Sequence, residues 1–450
     1  MTERRPKMSD VCVIGAGLAG CEAAVRLAAK SLSVSLYEMK PVRFSHAHKN
    51  PGLAELVCSN SLKAANIENA SGLLKEEMRM LGSVCVEAAY KSRVPAGQAL
   101  AVDRDIFSKT VTEKVTSFGN IKIIREEVGS LSELPDCGAV IIATGPLTSE
   151  KLAEEIASLT GKEGLRFFDA AAPIVYAESV DAGKTFRAAR YGKGTADYIN
   201  CPMTRDEYYA FYEALVSAET ADVEEFDSLH LYEGCMPVEE MAKRGRDTLK
   251  FGPLKPVGLT NLDGTRPYAV VQLRQDDAEG TLYNIVGFQT RLKFSEQRRV
   301  FGMIPGLENA EYARYGVMHR NTYIRSPGLL GADYRMKGTA DPAVFFAGQI
   351  TGVEGYMESA SSGIVAGVNC GRYLKGEEPA VFPLSTVIGA LANYVANYGG
   401  KDFQPMGANF GIVDSSAALG AGIRDKTARK RFAAENSLKV LGEFIKENNI

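Results

Sequence analysis

The segment Gly15-Ala16-Gly17-Leu18-Ala19-Gly20 constrains this chain more than any other. It follows the short apolar run Val11 to Ile14 and opens a helix-period run from Ala19 to Ala29. A second short apolar run, Val34 to Tyr37, comes next. That order is the βαβ rhythm of a parallel sheet. In such a unit the first glycine makes the tight turn, the second lets backbone approach a pyrophosphate, and the third lets the helix pack closely on the strand. Free N–H groups and the positive helix end are left facing the phosphate charge. Glu38 ends the second run, where a carboxylate accepts hydrogen bonds from ribose hydroxyls and disfavours a 2′-phosphate. The expectation is a doubly wound α/β domain holding a dinucleotide through Gly15, Ala16, Gly17, Leu18, Ala19, Gly20 and Glu38.

Two further short runs, Ile121 to Ile124 and Ala139 to Thr144, extend the same sheet, and Ser149 to Leu159 reads as a helix. From Ala171 to Arg325 the chain is richer in Tyr, Arg and short strand-like pieces. Ala343 to Ala347 then looks like a strand returning to the first sheet. The fold class expected is therefore α/β, an FAD-binding Rossmann-like domain interrupted by an inserted α+β domain. Its parts are residues 1–170 (first part of the FAD-binding domain), 171–325 (inserted substrate domain) and 326–450 (return segment and C-terminal helices). Lys426 to Lys446 carries apolar residues at helical spacing and reads as an amphipathic surface helix. FAD is favoured over NAD by Thr144 and Gly145 at a strand end, and by Gly348 and Gln349 opening a loop with Gly352 and Gly355. That loop resembles the second flavin-contacting loop of two-part FAD folds, its glycines permitting close backbone approach to the ligand.

The bulk numbers narrow the class without deciding it. A 450-residue chain that is 45% hydrophobic can bury a large core, and a net charge of −3 neither announces nor excludes a nucleic-acid partner. Eight cysteines at this length form no disulfide framework, the first ten residues hold no apolar leader, and no apolar run approaches the roughly 18 to 20 residues that span a bilayer. A reduced, cytoplasmic protein is expected. His46 and His48 have no ligand spacing to any cysteine, so no metal site is expected.

Three strings go beyond a generic flavoprotein: Glu55-Leu56-Val57-Cys58-Ser59-Asn60-Ser61-Leu62-Lys63, Tyr232-Glu233-Gly234-Cys235-Met236-Pro237, and Thr351-Gly352-Val353-Glu354-Gly355-Tyr356-Met357-Glu358-Ser359. With the Gly15 to Gly20 loop they resemble, in order and approximate spacing, the folate- and FAD-dependent tRNA (uracil-5-)-methyltransferases. The related wobble-uridine modification flavoproteins are longer and carry a C-terminal helical domain. The resemblance implies reductive methylation at C5 of uridine 54 in the tRNA T-loop, a base that must be flipped out to react. Methylenetetrahydrofolate would be the carbon donor, reduced FAD the methylene shuttle and reductant, and NADH or NADPH the electron source, with no use of S-adenosylmethionine. By the same resemblance Cys235 is the thiol that adds to uracil C6 and Cys58 the assisting base or flavin-site thiol, with the reverse assignment open.

The chemistry explains why thiols are wanted. A thiolate added at C6 turns the ring into an enolate whose C5 attacks an electrophilic methylene, and the C5 proton must then be removed. Cys58 precedes Ser59-Asn60-Ser61, residues that cap helices, and a helix N-terminus there would activate it. Cys12, Cys21, Cys85, Cys137, Cys201 and Cys370 are expected to be buried hydrophobes. Glu354 and Glu358 fit either helix-end electrostatics or a substrate contact.

Between Met241 and Arg325, Lys and Arg outnumber Asp and Glu by 14 to 8. Lys243, Arg244, Arg246, Arg291, Arg298 and Arg299 are the candidate tRNA contacts. Tyr268, Phe288, Tyr312, Tyr315 and Tyr323 lie among them as candidate stacking partners for bases. Two other readings stay open on the residues alone. One is an FAD-dependent NAD(P)H oxidoreductase acting on a small molecule; the other is a non-catalytic FAD-containing RNA-binding protein.

Overall fold

The computed structural model describes residues 9–45, 47–161, 165–192, 195–221, 236–339, 341–414, 416–417, 423 and 425–450. His46 and the segment carrying Tyr232, Glu233, Gly234 and Cys235 therefore lie outside the described residues.

Five parallel strands form the first sheet: β1 (Val11–Ile14), β2 (Val34–Tyr37), β3 (Ile121–Ile124), β4 (Ala139–Ile142) and β5 (Ala343–Phe346). Their order is β5-β4-β1-β2-β3, with Val11 level with both Val34 and Ala139. Every residue of β1, β2, β4 and β5 is buried, as expected of a parallel sheet covered on both faces. The return strand is where the sequence put it, Ala343 pairing with Ala139.

Helix α1 (Leu18–Ala29) leaves β1 through the glycine loop, and helix α2 (Tyr356–Leu374) leaves β5 through the loop at Gly348. The two helices approach closely because small residues meet. A Cβ on Gly363 would stand 2.2 Å from the Ala19 carbonyl oxygen, and one on Gly367 would stand 2.9 Å from the Ala23 Cα. This contact brings the first turns of both helices to the same end of the sheet.

A six-stranded antiparallel sheet makes the inserted region, in the order Phe186–Arg187, Ile199–Met203, Ala269–Gln275, Leu282–Ile285, Ile174–Tyr176, Tyr312–Arg314. Helices Arg205–Val216, Val238–Lys243 and Phe294–Phe301 cover it and close a second core around Phe211, Leu273, Phe288 and Phe301. A ribbon of Leu165–Ala170 paired with Met318–Tyr323 marks the crossing between the two regions. The C-terminal helix spans Lys426–Glu447. Its Ser437 hydroxyl donates to Glu77, whose carboxylate also accepts the Val387 and Ile388 amides, so one buried acid ties three helices together. Among the described residues no helix is long and apolar enough to cross a membrane.

One local expectation fails. Ser59-Asn60-Ser61 caps no helix: Ser61–Ala64 is a strand, paired with Ala99–Val102, and the polar side chains serve loop and inter-region contacts instead.

Candidate functional site

A cleft enclosing about 1080 Å³ of solvent-connected space opens at the C-terminal ends of β1, β2 and β4. That position is where open α/β sheets bind ligands. Gly15, Ala16, Gly17, Leu18 and Ala19 line one wall. Gly15 needs its lack of a Cβ for its φ of +95° and for the Ala143 carbonyl beside it. Gly17 is different: no atom lies within 4 Å of where its Cβ would be, so a side chain there would enter the cleft. Gly20 does not line the cleft; its Cβ would collide with the Gly15 carbonyl, which is the helix–strand packing role expected of the third glycine.

Glu38 is buried at the cleft edge. Its carboxylate accepts the Ala16 amide at 3.0 Å and the Lys40 amide at 3.0 Å, which aligns it with the glycine loop. Lys40 in turn bridges to Glu55 at 3.1 Å and to the carbonyls of Asn50 and Gly52, fastening the next stretch of chain. Thr144, Gly145, Gly348 and Gln349 line the same cleft. The loop, acid and return segment together fit an extended dinucleotide: a glycine loop open to the cleft at a helix N-terminus, an acid one strand away and a return segment from beyond the inserted region.

Gly352 and Gly355 stand outside that lining, and each faces a protein group where a Cβ would be. A Cβ on Gly352 would strike the Phe403 ring at 2.5 Å, and one on Gly355 would strike the Glu358 carboxylate. Their φ angles of +89° and +119° require glycine in any case. Glu358 is buried and pairs with Lys63 at 2.7 Å while accepting the Ala408 amide, and Glu354 accepts from Gln349 at 2.6 Å. Both acids thus brace the return loop.

Cys58 lies between this cleft and the inserted sheet. Tyr356, which lines the cleft, accepts the Cys58 amide at 2.8 Å and the Ser59 amide at 3.2 Å through its hydroxyl. Burial pushes the Tyr356 phenol well above the usual range, so the hydroxyl stays protonated. From the other side Arg274 donates to the Asn60 side-chain carbonyl at 3.1 Å and to the Ser59 hydroxyl at 2.9 Å. Asn60 completes the clamp by donating to the Val102 and Gln275 carbonyls. Arg104, paired with Asp276 at 3.0 Å, and Arg314 share this neighbourhood. The sequence pointed to none of Arg274, Arg104 and Arg314, and it noted Asn60 only as a capping candidate. Tyr356 stood in a noted string without a role, and only its place beside Glu354 and Glu358 could have suggested one.

Cys12, Cys21, Cys85, Cys201 and Cys370 are buried, as expected, whereas Cys137, two residues before β4, is only half-buried. Among the described residues no group of three or more His, Cys, Asp or Glu is placed to hold a metal ion.

The basic residues of the inserted region divide by orientation. Arg291 turns inward: its side chain is 13% exposed and pairs with Glu240 at 2.7 Å, so it is not offered to a phosphate. Lys243 pairs with the same Glu240 at 3.0 Å and Arg299 with Glu296 at 2.6 Å, both on the surface. Arg244 follows the last turn of Val238–Lys243, and Arg246 lies 3.8 Å over the Tyr209 ring. Arg298 is exposed, 5.6 Å from the Tyr315 ring centre. Phe288 and Tyr323 are buried in hydrophobic clusters and cannot stack on a base, while Tyr268 packs against Lys250 and bonds to Tyr209.

Comparison with known proteins agrees with this architecture. A family model described as glucose inhibited division protein A matches residues 10–378. The solved form II crystal structure of Aquifex aeolicus GidA superposes with a TM-score of 0.70 at 18% identity, covering 97% of this chain and 73% of that one, which establishes a shared fold. A methylenetetrahydrofolate–tRNA-(uracil-5-)-methyltransferase TrmFO of Acetivibrio thermocellus is 58% identical over 96% of this chain and 98% of its own length. The protein of that name from Desulforamulus reducens is 55% identical over 100% and 99%. With the glycine loop, the Glu38 contact and the Cys58 clamp in one GidA-type scaffold, and more than half of all positions shared over nearly full length, the chain belongs to the methylenetetrahydrofolate–tRNA-(uracil-5-)-methyltransferase family.

Proposed function

We propose that the protein methylates C5 of a uridine in tRNA, position 54 of the T-loop, taking the carbon from methylenetetrahydrofolate. It would work with FAD in the β1–α1 cleft and NADH or NADPH as electron source, in the cytoplasm. The observation that carries this reading is the seat of Cys58. Its backbone is held by Tyr356 of the dinucleotide cleft, and the residues after it by Arg274 of the inserted sheet, so a thiol sits where two substrates could meet.

FAD, when bound and reduced, supplies hydride to the one-carbon unit. The chain's own residues do the rest. The amides of the glycine loop and the α1 N-terminus hold the pyrophosphate, and Glu38 orients the ribose. A cysteine thiolate, assigned to Cys235, adds to uracil C6; the electron pair moves to C5, which attacks the methylene carbon. Cys58 takes the C5 proton as the bond between the methylene carbon and its carrier nitrogen breaks, leaving an exocyclic methylene; hydride added to that carbon makes the methyl group and restores the C5–C6 double bond as the C6–sulfur bond breaks and the thiolate leaves. Arg274, a basic group of the inserted sheet, holds the Ser59 hydroxyl and the Asn60 side chain, the two residues that follow Cys58. Arg244, Arg246, Arg298 and Arg299 are the proposed phosphate contacts, and residues 171–325 the region that carries most of the tRNA surface.

The test is direct. Unmodified tRNA transcript, NADH or NADPH, and methylenetetrahydrofolate carrying a labelled methylene are incubated with the protein. Label should appear in 5-methyluridine; none with either nicotinamide would refute the proposal.

A further inference from the structure

Three aromatic rings of the inserted region are stacked in series. Phe294 and Tyr315 lie 4.7 Å apart between ring centres with planes 19° apart, and Tyr315 and Tyr312 lie 4.8 Å apart with planes 10° apart. Aromatic pairs within folded cores more often meet edge-on or tilted, as Phe211, Phe288 and Phe301 do in the core behind this array. A parallel series leaves a flat terminal face. Here that face belongs to Phe294, which is 54% exposed although it is the first residue of a helix whose Val300 and Phe301 are fully buried. Phe294 takes no part in the core; Tyr315 is the support of its ring.

Charge beside the array gives the sign of what would cover it. Arg298, one turn along the same helix and exposed, lies over Tyr315 and has no ion pair among the described residues. At the inner end, Tyr312 and Arg314 belong to one short strand, roughly 7 Å apart along it at the usual rise per residue. Arg314 is half-buried, makes no ion pair among the described residues, and lines one small cavity with Arg104 and with Leu56, two residues before Cys58. The rings therefore run inward from Phe294 at the surface to the strand that carries Arg314, with the Arg298 cation beside the middle ring. A planar, electron-rich group joined to phosphate matches that arrangement, and it describes an unpaired nucleotide.

We infer that Phe294, Tyr315 and Tyr312 form a platform on which an unpaired base of the tRNA loop stacks, with Arg298 meeting its phosphate, so that the neighbouring uridine is directed toward Cys58. This rests on the tRNA reading above. It assigns the platform to positioning, with no part in the chemical step.

The experiment uses the FAD-loaded protein and a T-arm stem–loop RNA carrying 2-aminopurine singly at each loop position. Binding is followed by anisotropy and stacking by fluorescence quenching, for wild type, Phe294→Ala and Phe294→Trp. Removal of one base–aromatic stack should weaken binding by about 5- to 150-fold. The slope of log K against log salt should stay unchanged, because no phosphate contact is lost. Quenching at one loop position should disappear in Phe294→Ala and return with tight binding in Phe294→Trp. The flavin spectrum and the KM for methylenetetrahydrofolate should match wild type. Unchanged RNA affinity in Phe294→Ala would overturn the platform and leave the methyltransferase reading standing. A raised folate KM with unchanged RNA binding would put the pterin, not a base, on Phe294 and also overturn it. Failure of wild type to bind the RNA at all would overturn both.

Discussion

Gly17 and Gly363 are both glycines at helix α1 or its contact, yet the structure predicts opposite consequences of filling them. At Gly17 a Cβ meets nothing within 4 Å, and φ is −71°, open to any residue. Gly17→Val should therefore cost the flavin-free fold only the helix-cap preference, about 1 kcal/mol. The side chain would instead occupy the space of the pyrophosphate. Loss of two backbone hydrogen bonds to a charged group, about 1.5 to 3 kcal/mol each, would weaken FAD binding by roughly a hundred- to ten-thousand-fold. At Gly363 the new Cβ would stand 2.2 Å from the Ala19 carbonyl oxygen and 2.7 Å from its Cα, so two helix backbones must separate. Overpacking of that kind costs about 1 to 3 kcal/mol or more. Urea unfolding of the flavin-free proteins measures the first effect, and absorbance of the purified proteins near 450 nm, at about the usual oxidised-flavin maximum, measures the second. Gly17→Val should be colourless with a near-wild-type midpoint, and Gly363→Ala should have a clearly lowered midpoint. A yellow Gly17→Val, or one as unstable as Gly363→Ala, would refute the assignment of the loop.

The remaining expectations concern chemistry, charge and pH. With tRNA carrying 5-fluorouridine at the target, Cys235→Ala should lose both turnover and the trapped covalent complex, whereas Cys58→Ala should lose turnover and keep some adduct; the reverse pattern, read on a denaturing gel, would exchange their roles. Charge reversal at Arg244 and Arg246 should lower the slope of log K against log salt by roughly 0.7 to 0.9 per phosphate contact, with the flavin spectrum intact, and an unchanged slope would move the RNA surface elsewhere. Lys75 is buried, donates to the Leu62 and Ser71 carbonyls, and is pulled down to about 8 by desolvation. Between about pH 8 and the unfolded value of 10.5 the unfolded chain then binds more protons than the native one, so stability should rise with pH across that window. Lys75→Met should remove this rise, and identical urea midpoints against pH for the two proteins would contradict it.

Local interactions made the parallel-sheet half legible. The glycine loop, the apolar runs of β1, β2 and β4, the acid at position 38 and the C-terminal helix all rest on turn chemistry or periodicity within a few residues, which a linear sequence carries directly. The motif strings likewise identified the family. The surroundings of Cys58 were not accessible in this way. Its amide bonds to a tyrosine 298 positions later, and Asn60 to an arginine 214 positions later, contacts that exist only once β5 has returned to the sheet and the inserted region has docked. The same long-range closure reversed a local inference, because polar residues able to cap a helix were recruited by Arg274 and by a strand pairing instead. It also separated Arg291 from Arg298, seven positions apart and equally basic on paper. Glu240 faces the first and draws it inward, while the second stands exposed above a stack of rings. Composition registers how many cations a region holds; only packing decides which of them remain available to a partner.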